Sequence, residues 1–209
     1  MTGHAITQDH RLQVSFISHF RWRHGCRFFT RSAIAQKKYC RSENDQKRNS
    51  LHVIHQTGKS DFESIRKQYQ SIAPFFEVAP FVHDVEEFLN RCDLLICRSG
   101  AMTLAEITIL GKPAILVPLP TAAHNHQEQN ARRLMEAGAA TMILQKDLTP
   151  DSLFSTIQEL MDTPERLQTM AQASLSMGKP NATNRVVDLA ESIAKKGAGG
   201  TPAVQTHAL

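Results

Sequence analysis

From residue 51 onward, short runs of β-prone residues alternate with segments of helical periodicity, and this alternation restricts the fold more than any other feature. The strand-like runs are LHVIHQTG, FFEVAPFV, DLLICRSG, KPAILVPLP and AATMILQ. Strands separated by helices of about 10–15 residues build βαβ units with right-handed crossovers and a parallel sheet. We therefore predict an α/β fold with five strands in an open, doubly wound parallel sheet flanked by helices. Such sheets bind ligands beyond the carboxyl ends of their strands.

The predicted helices have recognisable faces and ends. Apolar residues at 62, 65, 69 and 72 are spaced as on one face of a helix over residues 61–72. Gly111 and Gly138 follow helical segments in the manner of C-terminal glycines, and Pro150 suits the first turn of a helix that begins after Thr149. We predict two further helices, over 163–178 and 181–197.

The charge of the chain divides it near residue 50. Residues 1–50 hold ten Lys or Arg and three Asp or Glu, a balance of +7, whereas residues 51–209 hold 14 and 17, a balance of −3. Within the first segment only QVSFISHF could be a strand. Basic residues interleaved with aromatic ones can bind single-stranded nucleic acid. We favour an irregular basic leader, or a segment that is not a folding unit, over a nucleic-acid-binding one.

Composition excludes several classes of protein. Hydrophobic residues make up 41% of the chain and the mean hydropathy is −0.31, so the chain is neither wholly disordered nor rich enough in apolar runs for a transmembrane helix. The first residues lack the pattern of a secretory signal. The four cysteines, Cys26, Cys40, Cys92 and Cys97, form no C-x-x-C pair. We expect a reduced, cytoplasmic chain.

The segment after the DLLICRSG strand is the strongest candidate site. Ser99 and Gly100 suit a tight turn between a strand and a helix, where glycine allows close approach and free N–H groups attract anions. Glu106 lies about one turn into that helix, and its carboxylate could accept hydrogen bonds from the two hydroxyls of a ribose. Alternatively, Ser99 or Thr103 caps the helix and Glu106 complements its dipole.

A second candidate segment, residues 118–130, also leaves a strand and enters a helix. His126 and Gln127 could bind sugar hydroxyls or phosphate oxygens, or be solvated. His83, His124 and His126 raise the possibility of a metal site, but no matching cysteine or carboxylate cluster supports it. We therefore predict no metal.

Two further strand ends carry weaker signals. Residues 55–58 are either a ligand-facing turn or a plain one, and backbone groups in residues 81–85 could read a flat base. The sequence contains no G-x-S-x-G, no Walker loop and no G-x-G-x-x-G. This weighs against a serine hydrolase, a P-loop ATPase and a dehydrogenase.

Several of these motifs together resemble the carboxyl-terminal half of the MurG family. The matching motifs, between about residues 51 and 196, are HQTG, FV-HDV, CDLLICRSGAMTLAEI, GKPAILVPLP-TAA-H-N-HQ-xx-NA and EAGAA. The resemblance implies one Rossmann-like half of a GT-B glycosyltransferase. It also implies transfer of N-acetylglucosamine from UDP-N-acetylglucosamine to the lipid-linked muramyl-pentapeptide precursor of peptidoglycan. The implied division is a leader over 1–50, a UDP-sugar-binding domain over 51–196 and a flexible tail over 197–209.

The same resemblance implies a binding set for UDP-N-acetylglucosamine. Uracil would meet the backbone at Val82, and Glu106 would hold the ribose hydroxyls. The set consists of Val82, Ser99, Gly100, Ala101, Met102, Thr103, Glu106, His126, Gln127 and Asn130.

Within that set, three regions have different implied partners. The Ser99–Gly100 turn would lie near the diphosphate, and residues 101–103 would line the donor pocket. His126 and Gln127 would contact the N-acetylglucosamine hydroxyls, and Asn130 would support their turn. No cofactor is implied.

The chain departs from the family pattern at its amino-terminal end. Residues 1–50 contain no G-G-S-x-G-A loop, and the domain that supplies the acceptor site, the membrane contact and the catalytic base has no counterpart. We therefore expect a donor-binding half that is inactive alone and reaches the lipid acceptor only if an amino-terminal domain is supplied. We also expect a missing first strand to expose a sheet edge, which would favour association. The family acts on the cytoplasmic face of the inner membrane.

Three alternatives stay open. The chain could be a binding subunit that completes its cleft with a partner chain. It could be a nucleic-acid-binding module that uses the basic leader. It could also be a related two-domain sugar enzyme, such as a UDP-N-acetylglucosamine 2-epimerase or a lipid glucosyltransferase.

Overall fold

The computed structural model describes residues 12–17, 51–70 and 76–198. The rest of the predicted leader, the end of the predicted helix at 71–72 and the tail from 199 lie outside the described residues. The predicted domain limits at residues 50 and 196 stay a prediction.

The described residues form one sheet of six parallel strands, in the order β3-β2-β1-β4-β5-β6. The strands are β1 (Leu12–Ile17), β2 (Leu51–Gln56), β3 (Phe76–Ala79), β4 (Leu94–Cys97), β5 (Ala114–Leu116) and β6 (Ala140–Met142). The strand order reverses direction between β1 and β4. In doubly wound sheets this switch point opens a crevice at the carboxyl ends of the strands. The predicted α/β class and parallel sheet are confirmed.

The position of β1 corrects one expectation. The first strand is not missing, because Leu12–Ile17 pairs with Leu51–Gln56 on one side and with β4 on the other. The possible strand in QVSFISHF is therefore confirmed, and the predicted exposed edge at this point is wrong. The edges of the sheet are β3 and β6.

The helices begin and end with the signals expected of them. They are α1 (Phe62–Gln70), α2 (Val85–Asn90), α3 (Ala101–Ile109), α4 (His126–Glu136), α5 (Pro150–Met161), α6 (Pro164–Met177) and α7 (Ala182–Ala198). Thr149 and Ser152 form a capping box at the start of α5. Gly111 (φ 62°) and Gly138 (φ 74°) adopt the left-handed conformation after α3 and α4. Within the described ranges, no helix has both the length and the apolar content that a membrane crossing requires.

The core lies on both faces of the sheet. Alternate residues of β4 point to opposite faces, so that Leu95 and Cys97 pack in one cluster and Leu94 and Ile96 in the other. The first cluster takes buried residues from α2, α3 and α4, and the second takes them from α5 and α6. Burial on both faces explains why β4 is apolar throughout.

The chain divides into two compact units between Gly178 and Lys179. The second unit contains α7, whose side chains are exposed from residue 182 to 195. Its large exposed apolar residues include Val186, Leu189 and Ile193, which lie three and four positions apart. That spacing places them on one face of the helix.

Candidate functional site

The turn between β4 and α3 lies beside the switch point of the sheet. Gly100 is the N-cap of α3, with φ −67° and ψ 146°, and among the residues that the structure describes no side chain caps the helix. Neither Ser99 nor Thr103 is therefore the cap, and the alternative role of Glu106, complementing the helix dipole, stays a prediction. The start of α3 lies at the carboxyl end of β4, where the first amides of a helix can bind an anion.

Gly100 leaves space in front of this helix start. A Cβ atom placed on Gly100 would meet no heavy atom of the described residues within 4 Å. Its backbone angles are accessible to any residue. Neither conformation nor packing among the described residues requires glycine here, and the open space allows a ligand to approach the backbone closely.

Ser99 joins this turn to the start of α4. Its side chain is fully buried, and its hydroxyl donates to the carbonyl oxygen of Gln127 over 2.7 Å. The side-chain amide of Asn130 donates to the carbonyl oxygen of Ser99 over 3.2 Å. The two predicted site segments are therefore brought together, and Asn130 contacts the Ser99–Gly100 turn. The Ser99 hydroxyl therefore has a structural role, because it links the turn before α3 to the start of α4.

Gln127 and His126 have fixed polar orientations. The side-chain oxygen Oε1 of Gln127 accepts from the backbone N–H of Leu119 over 3.0 Å, so the amide NH2 is the group that can donate to a ligand. His126 Nδ1 lies 2.7 Å from the carbonyl oxygen of Ala123. Because a carbonyl only accepts, Nδ1 carries a proton, and Nε2 of this exposed ring remains as the second polar group.

The turn before α4 stores backbone strain. His124 (φ 50°) and Asn125 (φ 54°) are both left-handed, although neither is glycine. Such residues cost on the order of 1 kcal/mol each. Asn125 offsets part of this cost by donating to Glu128 over 2.9 Å. This hydrogen bond, together with Arg132, holds the pKa of the Glu128 carboxyl below its usual range.

The remaining predicted residues lie on and beside α3. Ala101 and Met102 are exposed, and Thr103 and Glu106 are partly exposed. Residues three or four positions apart share a helix face, so Glu106 lies one turn beyond Met102 and Thr103. Val82 is half-buried and packs against the core cluster that contains α3.

Cys97, at the end of β4, is a free and buried cysteine. Burial, followed by the neighbouring Cys92 and Glu106, raises the pKa of its thiol to about 12. The thiol is therefore protonated at neutral pH, and the thiolate is the reactive form.

The HQTG segment turns inward. His55 is buried, with Nδ1 3.0 Å from the Tyr69 hydroxyl, and burial lowers the pKa of its imidazole to about 4. The buried Thr57 donates its N–H to the Ala79 carbonyl over 2.9 Å and its hydroxyl to the Gly58 carbonyl over 3.0 Å. These contacts agree with the plain-turn interpretation of residues 55–58.

Arg98 is the residue that sequence reasoning missed. Its guanidinium donates to the carbonyl oxygens of Val117 (2.9 Å) and Pro118 (2.8 Å) and to Oε1 of Gln145 (2.6 Å). The sequence signal for this role is an arginine directly after a wholly apolar strand. Such a charge must find acceptors close to the sheet.

The part of the chain that the structure describes contains no group of three His, Cys, Asp or Glu side chains arranged to hold a metal ion. The site offers backbone amides, one carboxylate, an amide NH2 and an imidazole. This donor set can bind an anion flanked by hydroxyl-bearing rings.

Comparison with known proteins identifies relatives of the chain. The sequence model described as the glycosyltransferase family 28 C-terminal domain matches residues 30–192. A protein of Thermodesulfovibrio yellowstonii is 40% identical over 149 residues, which are 71% of this chain and 41% of that protein. It is named UDP-N-acetylglucosamine--N-acetylmuramyl-(pentapeptide) pyrophosphoryl-undecaprenol N-acetylglucosamine transferase. The chain thus spans 41% of the length of this curated relative.

Solved structures share the same fold. The crystal structure of MurG from Acinetobacter baumannii superposes with a TM-score of 0.75 and 29% identity, covering 92% of this chain and 55% of that one. A UDP-N-acetylglucosamine 2-epimerase structure from Listeria monocytogenes gives a TM-score of 0.62 at 15% identity, covering 96% of this chain and 49% of that one. The second similarity shows the fold alone. Both confirm the predicted GT-B architecture, of which this chain forms one half.

Proposed function

Because the chain belongs to glycosyltransferase family 28, we propose that it binds UDP-N-acetylglucosamine as the donor half of an N-acetylglucosaminyltransferase. With an amino-terminal domain, it would transfer the sugar to the lipid-linked muramyl-pentapeptide precursor of peptidoglycan. One observation carries the proposal: the open Ser99–Gly100 turn lies at the switch point and is hydrogen-bonded to the start of α4. A diphosphate and its two attached rings fit this arrangement of a helix start between two polar segments.

The diphosphate and ribose are assigned to α3. The space in front of Gly100 admits a phosphate to the first amides of the helix, near residues 101–103. Glu106 is one turn further along and partly exposed, so its carboxylate accepts hydrogen bonds from the ribose hydroxyls. Uracil lies against the backbone at Val82.

The sugar is assigned to α4. The NH2 group of Gln127 and Nε2 of His126 bind hydroxyls of N-acetylglucosamine, and Asn130 keeps their turn next to Ser99. Neither a cofactor nor a metal takes part in this scheme.

The proposal is tested by calorimetric titration of the chain with UDP-N-acetylglucosamine, with UDP-glucose for comparison. We expect saturable binding that prefers UDP-N-acetylglucosamine. The Glu106→Gln variant should lose roughly 10–100-fold in affinity, because hydrogen bonds to a charged acceptor contribute about 1.5–3 kcal/mol. Glu136→Gln, at an exposed position at the end of α4, is the matched control.

The two variants distinguish the loss of a contact made by Glu106 from a general effect of removing a carboxylate. Glu136→Gln should bind as the parent chain does. The proposal fails if a chain that is folded by circular dichroism binds no nucleotide sugar, or if both variants bind equally well.

The chain alone is expected to hold the donor without transferring its sugar. Transfer requires donor and acceptor to be oriented together, and positioning can contribute about 7–11 kcal/mol to rate enhancement. The acceptor site and the catalytic base belong to the amino-terminal domain in this proposal. We place the reaction in the cytoplasm, at the inner face of the membrane.

A second candidate is a donor-binding subunit that works with a partner chain. The exposed apolar face of α7, formed by Val186, Leu189 and Ile193, favours it, because apolar helix faces are usually covered. Mixing the chain with the amino-terminal part of the Thermodesulfovibrio yellowstonii relative should restore transfer to the lipid acceptor. Leu189→Glu should abolish this restoration and leave donor binding intact. If the parent chain and the Leu189→Glu variant restored transfer equally, the candidate would be excluded.

A further inference from the structure

The guanidinium of Arg98 connects the carboxyl ends of three neighbouring strands. Arg98 directly follows β4, Val117 and Pro118 follow β5, and Gln145 lies beyond β6. In these three hydrogen bonds the acceptors are oxygens of described residues, at 2.6–2.9 Å. A planar guanidinium can serve several acceptors at once in a fixed geometry, whereas an ammonium group is a point charge on a flexible stem.

These hydrogen bonds fix the backbone immediately before Leu119. The Pro118 carbonyl belongs to the peptide group whose nitrogen is the Leu119 N–H, so Arg98 and Gln127 hold the two ends of one rigid peptide plane. Arg98 donates to the Pro118 carbonyl oxygen over 2.8 Å, and the Leu119 N–H donates to Oε1 of Gln127 over 3.0 Å. The orientation of this plane therefore determines which end of the Gln127 amide points away from Leu119.

We propose that Arg98 is a positioning residue that orients the Gln127 amide through the Pro118–Leu119 peptide, so that its NH2 group faces the sugar of the donor. The inference rests on the proposed function for its ligand. Arg98 touches no part of the nucleotide in this scheme. It contributes to recognition of the sugar and not to recognition of UDP.

The structural half of the inference can be tested without a ligand. Hydrogen exchange of the Leu119 amide reports its bond to Gln127. We expect Arg98→Lys to reduce the protection of this amide about tenfold. The Val117 amide, which donates to the Cys97 carbonyl over 2.9 Å, should keep its protection and so report an intact sheet. Unchanged protection at Leu119, or equal loss at both amides, would overturn the inference.

The recognition half is tested by titration with UDP and with UDP-N-acetylglucosamine. We expect the ratio of the two affinities to fall about tenfold in Arg98→Lys, while the affinity for UDP stays within about twofold. Gln127→Ala should give the same pattern. The double variant should be no worse than either single one, because both act on the same contact.

A milder variant covers the case in which Arg98→Lys does not fold. Gln145→Ala removes one acceptor of the guanidinium and leaves the Pro118–Leu119 peptide itself unchanged. It should lower the same ratio by a smaller factor, and a ratio equal to that of the parent chain would count against the inference.

The outcomes separate the inference from the proposed function. If the folded parent chain binds neither nucleotide, the proposed function fails, and the exchange experiment still decides whether Arg98 holds Leu119. If the parent chain binds both nucleotides equally, Gln127 does not contribute to recognition of the sugar, and the positioning role is overturned. A loss of affinity for UDP as large as that for UDP-N-acetylglucosamine would reduce Arg98 to a structural residue.

Discussion

At the scale of single residues, burial alters the protonation of His55. Its side chain is buried after β2, with Nδ1 3.0 Å from the Tyr69 hydroxyl. Burial disfavours the charged imidazolium and lowers the pKa of the ring to about 4, from an ordinary value of 6.5. The native chain therefore requires a neutral imidazole at this position.

This burial predicts a loss of stability in mild acid. Below pH 6.5 the unfolded chain takes up a proton at His55 that the folded chain does not accept until about pH 4. Folding stability therefore falls as the pH falls through this window, by about 2 kcal/mol between pH 7 and pH 5. Urea denaturation of the parent chain and of His55→Gln at both pH values measures the effect.

The His55→Gln variant should lose less stability on acidification, because glutamine does not titrate. His83→Gln, at an exposed position, should behave as the parent chain does. An identical acid loss in all three proteins would show that His55 is not its source.

The proximity of the two segments of the candidate site could be predicted from the sequence, and the hydrogen bonds of their side chains could not. Polar motifs that directly follow apolar strands placed Gly100 and Gln127 at the same edge of the sheet. The direction of the Ser99 hydroxyl depends on the Gln127 carbonyl, 28 positions along the chain. A partner so distant leaves no trace in local spacing. For Arg98 the sequence indicates only that acceptors must lie close to the sheet, because the acceptors themselves are 19 to 47 positions away.

At the scale of elements, α3 and α6 approach each other closely through small residues. The Ser174 hydroxyl donates to the Ile107 carbonyl over 3.2 Å. A Cβ atom on Gly178 would lie 2.8 Å from the Thr108 carbonyl oxygen, closer than van der Waals contact allows. This contact supports the helix whose first turn forms the candidate site.

Two glycine variants should therefore differ in the property that they change most, stability for one and ligand binding for the other. Gly178→Ala should lower the free energy of unfolding by about 2 kcal/mol, because it overpacks a backbone contact. Gly100→Ala should cost only about 0.5–1 kcal/mol, as a poorer N-cap, but should weaken binding of UDP-N-acetylglucosamine by filling the open space at the turn. Urea denaturation and calorimetry distinguish the two.

Equal stability losses would contradict this assignment of the two glycines. So would a Gly100→Ala variant with unchanged affinity, since the space in front of the helix would then be unused.

Helices were predicted better than the short strands. The spacing of apolar residues and the glycines after α3 and α4 define helix faces and ends locally. β5 is limited to Ala114–Leu116, and the prolines on both sides of it, Pro113 and Pro118, have no N–H to continue a ladder. The left-handed turn at His124 and Asn125 was not predicted, because glycine is the usual sequence signal for that conformation.

At the scale of the whole molecule, β1 joins the two halves of the sheet. In the hydrogen-bonded order it lies between β2 and β4, with Ser15 opposite Ile54 on one side and Leu95 on the other. Its partner β2 begins at residue 51. Because this pairing is non-local, the sequence of the leader showed at most an isolated strand candidate, and its central place could not be predicted.

The central position predicts a large effect of proline in β1. Ser15→Pro removes a backbone donor from a strand that is paired on both sides, and we expect it to cost about 3 kcal/mol or more. The unfolding transition should become broader or occur in two steps, which circular dichroism in urea would record. Ser15→Ala keeps the N–H and is the control. A sharp, unshifted transition for the proline variant would mean that the two halves of the sheet are held together by other contacts.

The same strand has a consequence for the order of events during synthesis. β1 is made before both of its partners, and its pairing with β4 is complete only when Cys97 is available. Until then the nascent chain must keep a β-prone segment unpaired on at least one side. Folds that close such distant pairs form slowly and pass through states open to misassembly. The interval between synthesis of β1 and synthesis of β4 is therefore a period in which a newly made chain needs protection from its neighbours.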